Sequence, residues 1–383
     1  MKIHTDCRHY RGSVPCEPNK LRGKECPTCD EHDPIGLRIL LIKLGAPGDV
    51  LRTTALLPGI RRKWPNCELT WLTRANASEL LANLGEIDRI LTVEEDGVTQ
   101  LLGEAFDVSI CLDNEPLAAS VIVQVASSVV LGFTLSESGR VIPASSETEP
   151  WLEMALFDRL KKENRKTYQA HMREIIELDT EIDPIQIRLT EGERRAASNR
   201  LKELGLAGVR PIAFNTGSGD RWQTKRWPMS SFIELANLLA HEDSHPILLL
   251  GGPGEDEDNR RLVTERPDRF VYPGVMLLRE FLAVVAMCRL LVTSDTLALH
   301  VGLGTGVPTV VFFGPTSASE IEESGPLLKV VAPVDCVCCY LKECDKVPYC
   351  MDELTPSLMF QQIQESGFLN KRESEIRAAS SAG

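Results

Sequence analysis

Residues Arg289 to Thr316 read RLLVTSDTLALHVGLGTGVPTVVFFGPT. An apolar run, Leu290 to Val292, ends in Thr293-Ser294-Asp295-Thr296. Small and apolar residues follow, with a single histidine, His300. A second apolar run, Thr309 to Phe313, leads to Gly314-Pro315. This order predicts strand, tight turn, helix and strand. A helix that starts at the carboxyl end of a strand aims unpaired N–H groups and a positive dipole end above the sheet. That geometry makes an anion site, most often for phosphate. Asp295 and Thr296 stand at its mouth.

The same alternation runs outward on both sides. From Leu37 the chain predicts a strand (37–44), a helix (49–63), a strand (68–72), a helix (77–84) and strands at 89–93 and 106–112. A helix near 117–126 follows. Short apolar runs joined by helices imply a parallel sheet. Residues 147–188 are charged and helix-rich and read as a connection. The pattern then restarts with strands at 211–215 and 246–251 and helices at 228–239, 256–264 and 278–288. Two α/β halves facing a cleft are the expected architecture, with ligands at the carboxyl ends of the strands. The divisions fall at 1–34 (a Cys-rich extension), 35–180 and 181–356 (the two Rossmann-like halves) and 357–383 (a helix and a tail). The tail from Lys371 is polar and is expected to be disordered.

The chain has 383 residues, 25% of them charged, and a net charge of −13. Its length suits two domains, and its acidity argues against nucleic acid as a partner. No apolar run reaches the ~20 residues that span a bilayer. The opening MKIHTDCRHYRG has no apolar core, so the expected location is cytoplasmic.

Three glycine-bearing loops carry candidate chemistry. Lys43-Leu44-Gly45-Ala46-Pro47-Gly48-Asp49 follows the first strand and fits neither a dinucleotide fingerprint nor a Walker loop. Asp49 there is a helix N-cap or, at a ligand site, a general base. Asn215 to Pro228 carries Thr216, Ser218, Lys225 and Arg226 before a helix, a donor-rich lip suited to a diphosphate. Gly251-Gly252-Pro253-Gly254-Glu255 adds a carboxylate that can accept from ribose hydroxyls.

These motifs (GAPGDVLRTTALLPGIRRKWP, TKRWP, GGPGE and SDTLALHVGLGTGVPTVVFFGPT) resemble, in order, those of glycosyltransferase family nine, the ADP-heptose:lipopolysaccharide heptosyltransferases. The resemblance covers about Leu37 to Pro356. It implies the GT-B fold, an inverting glycosyltransferase, and catalysis without a cofactor. It further implies Asp49 as the base on the acceptor hydroxyl and Lys225 as the neutraliser of the donor phosphates. Asp295 and Thr296 would hold the phosphate and donor-sugar end, and Glu255 the ribose. His300 matches a histidine of the same helix, while Thr216 and Ser218 match phosphate-side hydroxyls. The family usually has Gly after Asp-Thr. Here it is Leu297, whose N–H can donate but whose side chain crowds the donor. The partners implied are a nucleotide-sugar donor (ADP-heptose) and a glycolipid or oligosaccharide acceptor, at the cytoplasmic face of the inner membrane. Arg61, Arg62, Lys63, Lys161, Lys162, Arg165 and Lys166 offer either an anionic-lipid contact or a solvated face.

Of the twelve cysteines, Cys67, Cys111 and Cys288 fall in predicted elements as small hydrophobes. Cys7, Cys16, Cys26 and Cys29 are spaced C-x8-C-x9-C-x2-C. Cys336, Cys338, Cys339, Cys344 and Cys350 follow the last strands. Four thiolates suit zinc or an iron–sulfur cluster. The expected metal ligands are Cys7, Cys16, Cys26, Cys29, Cys336, Cys339, Cys344 and Cys350, in a structural role. Because a GT-B chain end usually returns to the N-terminal domain, the two sets are expected close together. A non-catalytic, redox-sensing sugar-nucleotide binder is the alternative, and a GT-B epimerase fits the motif order less well.

Overall fold

The computed structural model describes residues 3–242 and 245–369; the tail from Lys371 lies outside them. The first sheet holds β1 (Arg38–Ile42), β2 (Glu68–Thr73), β3 (Arg89–Thr92), β4 (Ala105–Cys111), β5 (Ala126–Leu135) and β6 (Val141–Pro143). Their order is β3-β2-β1-β4-β5-β6. All neighbours are parallel except the β5–β6 pair. The second sheet holds β7 (Ile212–Asn215), β8 (Ile247–Leu250), β9 (Phe270–Val271), β10 (Leu290–Ser294), β11 (Thr309–Phe313) and β12 (Leu327–Val331). Its order is β12-β11-β10-β7-β8-β9, all parallel. Numbered from each half's first strand, the two sheets have the same order. The fold is GT-B, two Rossmann-like sheets whose carboxyl ends face one cleft.

The strands are apolar runs because both faces are covered. Ile39, Leu40, Leu41 and Ile42 of β1 are fully buried, as are Leu290, Leu291 and Val292 of β10. Removing each such side chain from water contributes about 1.5–3 kcal/mol. One core cluster crosses the domain boundary, joining Leu41 and Leu56 to Ile185, Leu299 and Leu303. The Pro47–Thr53 helix of the first half packs on the Leu297–Thr305 helix of the second. At Thr54 the hydroxyl accepts the Gln186 N–H at 2.9 Å, tying the connection to the first half.

The 49–63 helix is broken by a short tight turn at Thr54–Leu56. The N-terminal extension lies on the β2–β3 side, where Arg8 pairs with Asp88 and donates to the carbonyls of Asn66 and Cys67. The chain end does not return to the first domain within the described residues. The Pro356–Glu365 helix instead packs on the Met229–Leu239 helix. Met359, Ile363 and Phe368 share the second domain's core with Phe232, so that apolar face is already satisfied. The N-terminal cysteine set lies by β2 and β3, whereas the C-terminal set packs on the second domain and meets the first through the Cys338 thiol and the Lys161 carbonyl at 3.7 Å. Among the described residues no helix is long and apolar enough to cross a membrane.

Candidate active site

The first half of the site is built on the turn after β1. Lys43 reaches Asp113 at 2.7 Å and the Leu112 carbonyl at 3.1 Å. Asp113 also accepts the N–H groups of Leu44 and Gly45. Burial works against the Lys43 ammonium, but Asp113 outweighs it and holds the proton firmly. The turn is thus pinned from below, and Pro47 opens the next helix with its ring at the first position.

Asp49 is not the N-cap, because Ala46 occupies that position. Its carboxylate instead pairs with Arg52 one turn on, Oδ1 to Nη2 at 2.7 Å. Arg52 lies 3.7 Å from the Tyr168 ring centroid, and the Tyr168 hydroxyl is 2.6 Å from Thr53 Oγ1. Burial would raise the Asp49 carboxyl, but Arg52, Lys43, His300 and Lys225 overcome this and hold it below the usual carboxylate range. Asp49 is therefore ionised at neutral pH, with 37% of its side chain exposed to the cleft.

The second half supplies an electropositive end. The Leu297–Thr305 helix has Thr296 at its N-cap, and no side chain caps it. Thr296 Oγ1 instead accepts from Asn215 Nδ2 at 3.3 Å. Asn215 also donates to the Gly217 carbonyl at 3.1 Å, joining the ends of β7 and β10. The Leu299 N–H bonds the Thr296 carbonyl at 3.1 Å, which leaves the N–H groups of Leu297 and Ala298, both lining the cleft, to face it. Lys225 bonds Asp295 through the carbonyl at 2.8 Å and the carboxylate at 3.2 Å. Burial would raise the Asp295 carboxyl, yet Lys225, His300 and Arg52 keep it low.

Glu255 joins the two glycine loops of this half. It accepts the Gly252 N–H at 3.0 Å and pairs with Arg226 at 3.0 Å. A Cβ at Gly217 would stand 2.6 Å from its carboxyl, so only glycine lets the loop lie against it. His300 is buried, and its Nδ1 has no hydrogen-bond partner among the described residues. Burial first, then Arg52, pushes its pKa down to about 4. The ring is therefore neutral at pH 7, with Nδ1 unpaired among the described residues.

A cleft of about 690 Å³ brings together Asp49, Ser218, Lys225, Glu255, Asp295, Thr296, Leu297 and His300. Thr216 is turned away, its hydroxyl donating to Asn259 at 2.8 Å and to the Leu250 carbonyl at 3.2 Å. The strand end points it under β8 rather than into the cleft. Sequence reasoning missed Arg52, Glu320 and Tyr340, which line the cleft, and the apolar wall of Met276 and Phe281. Only Arg52 carried a signal, its i+3 spacing from Asp49.

Among the basic residues, Arg61 pairs with Asp88, and Arg62 with Asp179 and Asp183. Lys63 pairs with Glu177, and Lys166 with Glu174. These form bridges of the first domain rather than a free basic face. Lys161 pairs with Asp158 at 2.8 Å.

The C-terminal cysteines gather round Cys350, which sits against Gly314 at the end of β11. Burial, then Cys339, Cys336 and Cys344, push its thiol up to about 11. Their segment also grips the loop before Lys225. Thr224 donates its hydroxyl to the Leu341 carbonyl, and its own carbonyl accepts from the Tyr349 hydroxyl, both at 2.8 Å. Cys26 and Cys29 flank one tight turn, Cys16 precedes the Glu17–Arg22 helix, and Cys7 bridges to Pro34. Among the described residues neither set brings three sulfurs within 4.8 Å of one another. The one donor group that close is His4, Asp6 and His32.

Residues 98–348 match the family model of glycosyltransferase family 9 (heptosyltransferase), and the chain belongs to that family. It is a glycosyltransferase. Lipooligosaccharide heptosyltransferase 2 of Haemophilus influenzae is 21% identical over 350 residues, 86% of this chain and 99% of that one. The structure of E. coli ADP-heptose LPS heptosyltransferase II superposes with a TM-score of 0.63 at 18% identity, covering 87% of this chain and 99% of that one. The iron-containing dodecameric glycosyltransferase TibC of enterotoxigenic E. coli superposes with a TM-score of 0.54 at 12% identity, covering 88% and 80%.

Proposed function

We propose that this protein transfers heptose from ADP-heptose to a lipopolysaccharide core, inverting the anomeric centre. The observation that carries the reading is the division of one cleft. An ionised carboxylate, Asp49, stands on the first domain, and an uncapped helix start with Lys225 stands on the second. In this reading Asp49 takes the proton from the acceptor hydroxyl, and the freed oxygen attacks the anomeric carbon. The bond to the diphosphate breaks on the opposite face. Lys225 exchanges its hold on Asp295 for the phosphates, and the N–H groups at Leu297 receive the charge that grows on the leaving group. Ser218 flanks the phosphates, Glu255 takes the ribose hydroxyls, and Met276 and Phe281 cover the base. His300, neutral, donates or accepts beside the anomeric centre.

No step of this transfer needs a metal. We assign Cys336, Cys339, Cys344 and Cys350 a structural zinc or iron–sulfur cluster, supported by the donor chemistry of four thiols in one short segment; binding would draw the sulfurs closer together than they stand. The match to an iron-containing relative adds to this. Cys7, Cys16, Cys26 and Cys29 carry the same assignment on spacing and donor chemistry. A bound metal there would cross-link its segment. Metal analysis and a visible spectrum of anaerobically purified protein decide this, and a colourless, metal-free sample overturns it. We place the enzyme in the cytoplasm at the inner-membrane surface, where its lipid acceptor is made accessible.

Incubation with ADP-heptose and heptose-free lipopolysaccharide tests the main reading, with mass spectrometry of the product. A gain of one heptose is expected. No transfer, together with no binding of any adenine sugar nucleotide, overturns it.

A further inference from the structure

The cysteine-rich segment reaches into the cleft with one side chain. Tyr340 lines it, beside Glu320 and Thr316 and in the same cavity as Asp49 and Arg52. Tyr340 has φ +52° and Cys338 φ +58°. Left-handed backbone is uncommon for such residues and marks a conformation imposed by its surroundings. Here the surroundings are visible. The Cys338 N–H donates to the Gly314 carbonyl and the Tyr340 N–H to the Pro315 carbonyl, both at 2.8 Å. The ring is held further by Lys161 of the first domain, 4.9 Å from its centroid, and by the edge of Trp222 at 6.3 Å.

The Tyr340 hydroxyl donates to Glu320 Oε1 at 2.7 Å and accepts the Ser317 N–H at 3.3 Å. That is the one hydrogen bond to Glu320's side chain among the described residues, so Oε2 keeps its full accepting capacity. Charge in the cleft is divided. Lys225 and the helix start make one end suitable for phosphate. At Glu320, burial first and then the like charges of Asp295 and Asp49 push the carboxyl up, against Arg52 and the Tyr340 hydrogen bond. A phosphate is repelled from such a place, whereas hydroxyl donors match it.

We propose that Glu320, at the end of the Ala318–Glu320 turn, and Tyr340, carried into the cleft by the cysteine-rich segment, form a subsite for sugar hydroxyls. Both residues lie within the span that matches the family but outside the four motifs that carry the resemblance. The proposal rests on the transferase reading above and adds its sugar-binding wall. Glu320 accepts from the sugar, and Tyr340 acts as a positioning residue that fixes the carboxylate's rotamer. The sugar belongs either to the donor or to the acceptor, and the experiment separates the two.

Calorimetric titration of the full chain with ADP and with ADP-heptose is compared for wild type, Glu320→Gln and Tyr340→Phe. Acceptor KM with heptose-free lipopolysaccharide is measured alongside. Both variants conserve shape, and unchanged ADP affinity shows that the donor half remains folded. For a donor-sugar subsite, Glu320→Gln weakens ADP-heptose about tenfold or more, the scale of a charged hydrogen bond, while ADP is unmoved. For an acceptor subsite, the acceptor KM rises by a similar factor and ADP-heptose is unmoved. In either case Tyr340→Phe shows a smaller effect of the same kind. The subsite is overturned if wild type binds ADP-heptose and both parameters of Glu320→Gln stay within about twofold of it. Wild type that binds neither ligand overturns the transferase reading instead.

Discussion

Gly48 and His300 meet across the domain boundary: a Cβ built on Gly48 would lie 3.1 Å from His300 Cδ2 and 3.6 Å from the Leu297 backbone. The helix that carries Asp49 and the Leu297–Thr305 helix are therefore in close contact at Gly48, a residue without a side chain. Their spacing is set by that absence. Gly48→Val is expected to push the helices apart and lower kcat by ten- to a hundredfold, with a stability loss of about 1–3 kcal/mol. Gly48→Ala should show a smaller loss in the same direction. Steady-state kinetics and thermal unfolding of the pair test this, and wild-type rates in the valine variant would refute it.

Asp49→Asn keeps the shape of the site and removes the proposed base. Transfer should fall by about 10²–10⁴-fold while ADP affinity is retained. The comparison needs single-turnover rates and a binding titration on the same sample. Full transfer rate in this variant rules Asp49 out as the base.

Arg52 is expected to set the acid limit of activity if Asp49 is the base, as proposed above. The Asp49 carboxyl lies below its ordinary value because Arg52, with Lys43, His300 and Lys225, outweighs burial. Activity that requires the carboxylate is then lost only as pH falls below the usual carboxylate range, near 4. Arg52→Met leaves burial less opposed, so the Asp49 pKa rises and the acid limb of kcat/KM moves to higher pH. A shift of about one unit is expected. An unmoved limb would show that Arg52 does not tune Asp49.

His300 makes its own contribution to acid sensitivity. Its pKa is about 4 in the folded chain, against about 6.5 when unfolded. Between those values the unfolded state binds the extra proton, so stability falls as pH drops through this window. Above pH 6.5 the effect is absent. His300→Asn should flatten the stability curve between pH 6.5 and 4 in denaturant titrations and leave its neutral-pH slope unchanged. The same slope in both proteins would count against a buried neutral ring.

The buried parallel strands were readable because their apolar runs are continuous; Thr309–Phe313 lies where the pattern puts it. β5, β6, β9 and β12 were not. β5 follows its helix with a single intervening residue, Val125, and is interrupted by Gly132 at φ +86°. β9 has only two residues and no period to detect. At the site, Asp49, Lys225 and Asp295 stand in local motifs at strand ends, and their positions followed from those motifs. Arg52 depends on Tyr168, far along the chain, to be stacked in place. Tyr340 depends on two left-handed residues inside a cysteine-rich loop, which no periodicity announces. Thr216 sits in the right loop but on the wrong side of it, since strand direction decides which way its hydroxyl turns.

Thr224 is held by the cysteine-rich segment at both its hydroxyl and its carbonyl, and Lys225 is the next residue. One peptide bond thus separates the thiols' scaffold from the ammonium proposed to meet the donor phosphates. On the metal assignment proposed above, loss of the metal or oxidation of the thiols is expected to register first as weaker ADP binding, while the far-ultraviolet spectrum remains that of the intact protein.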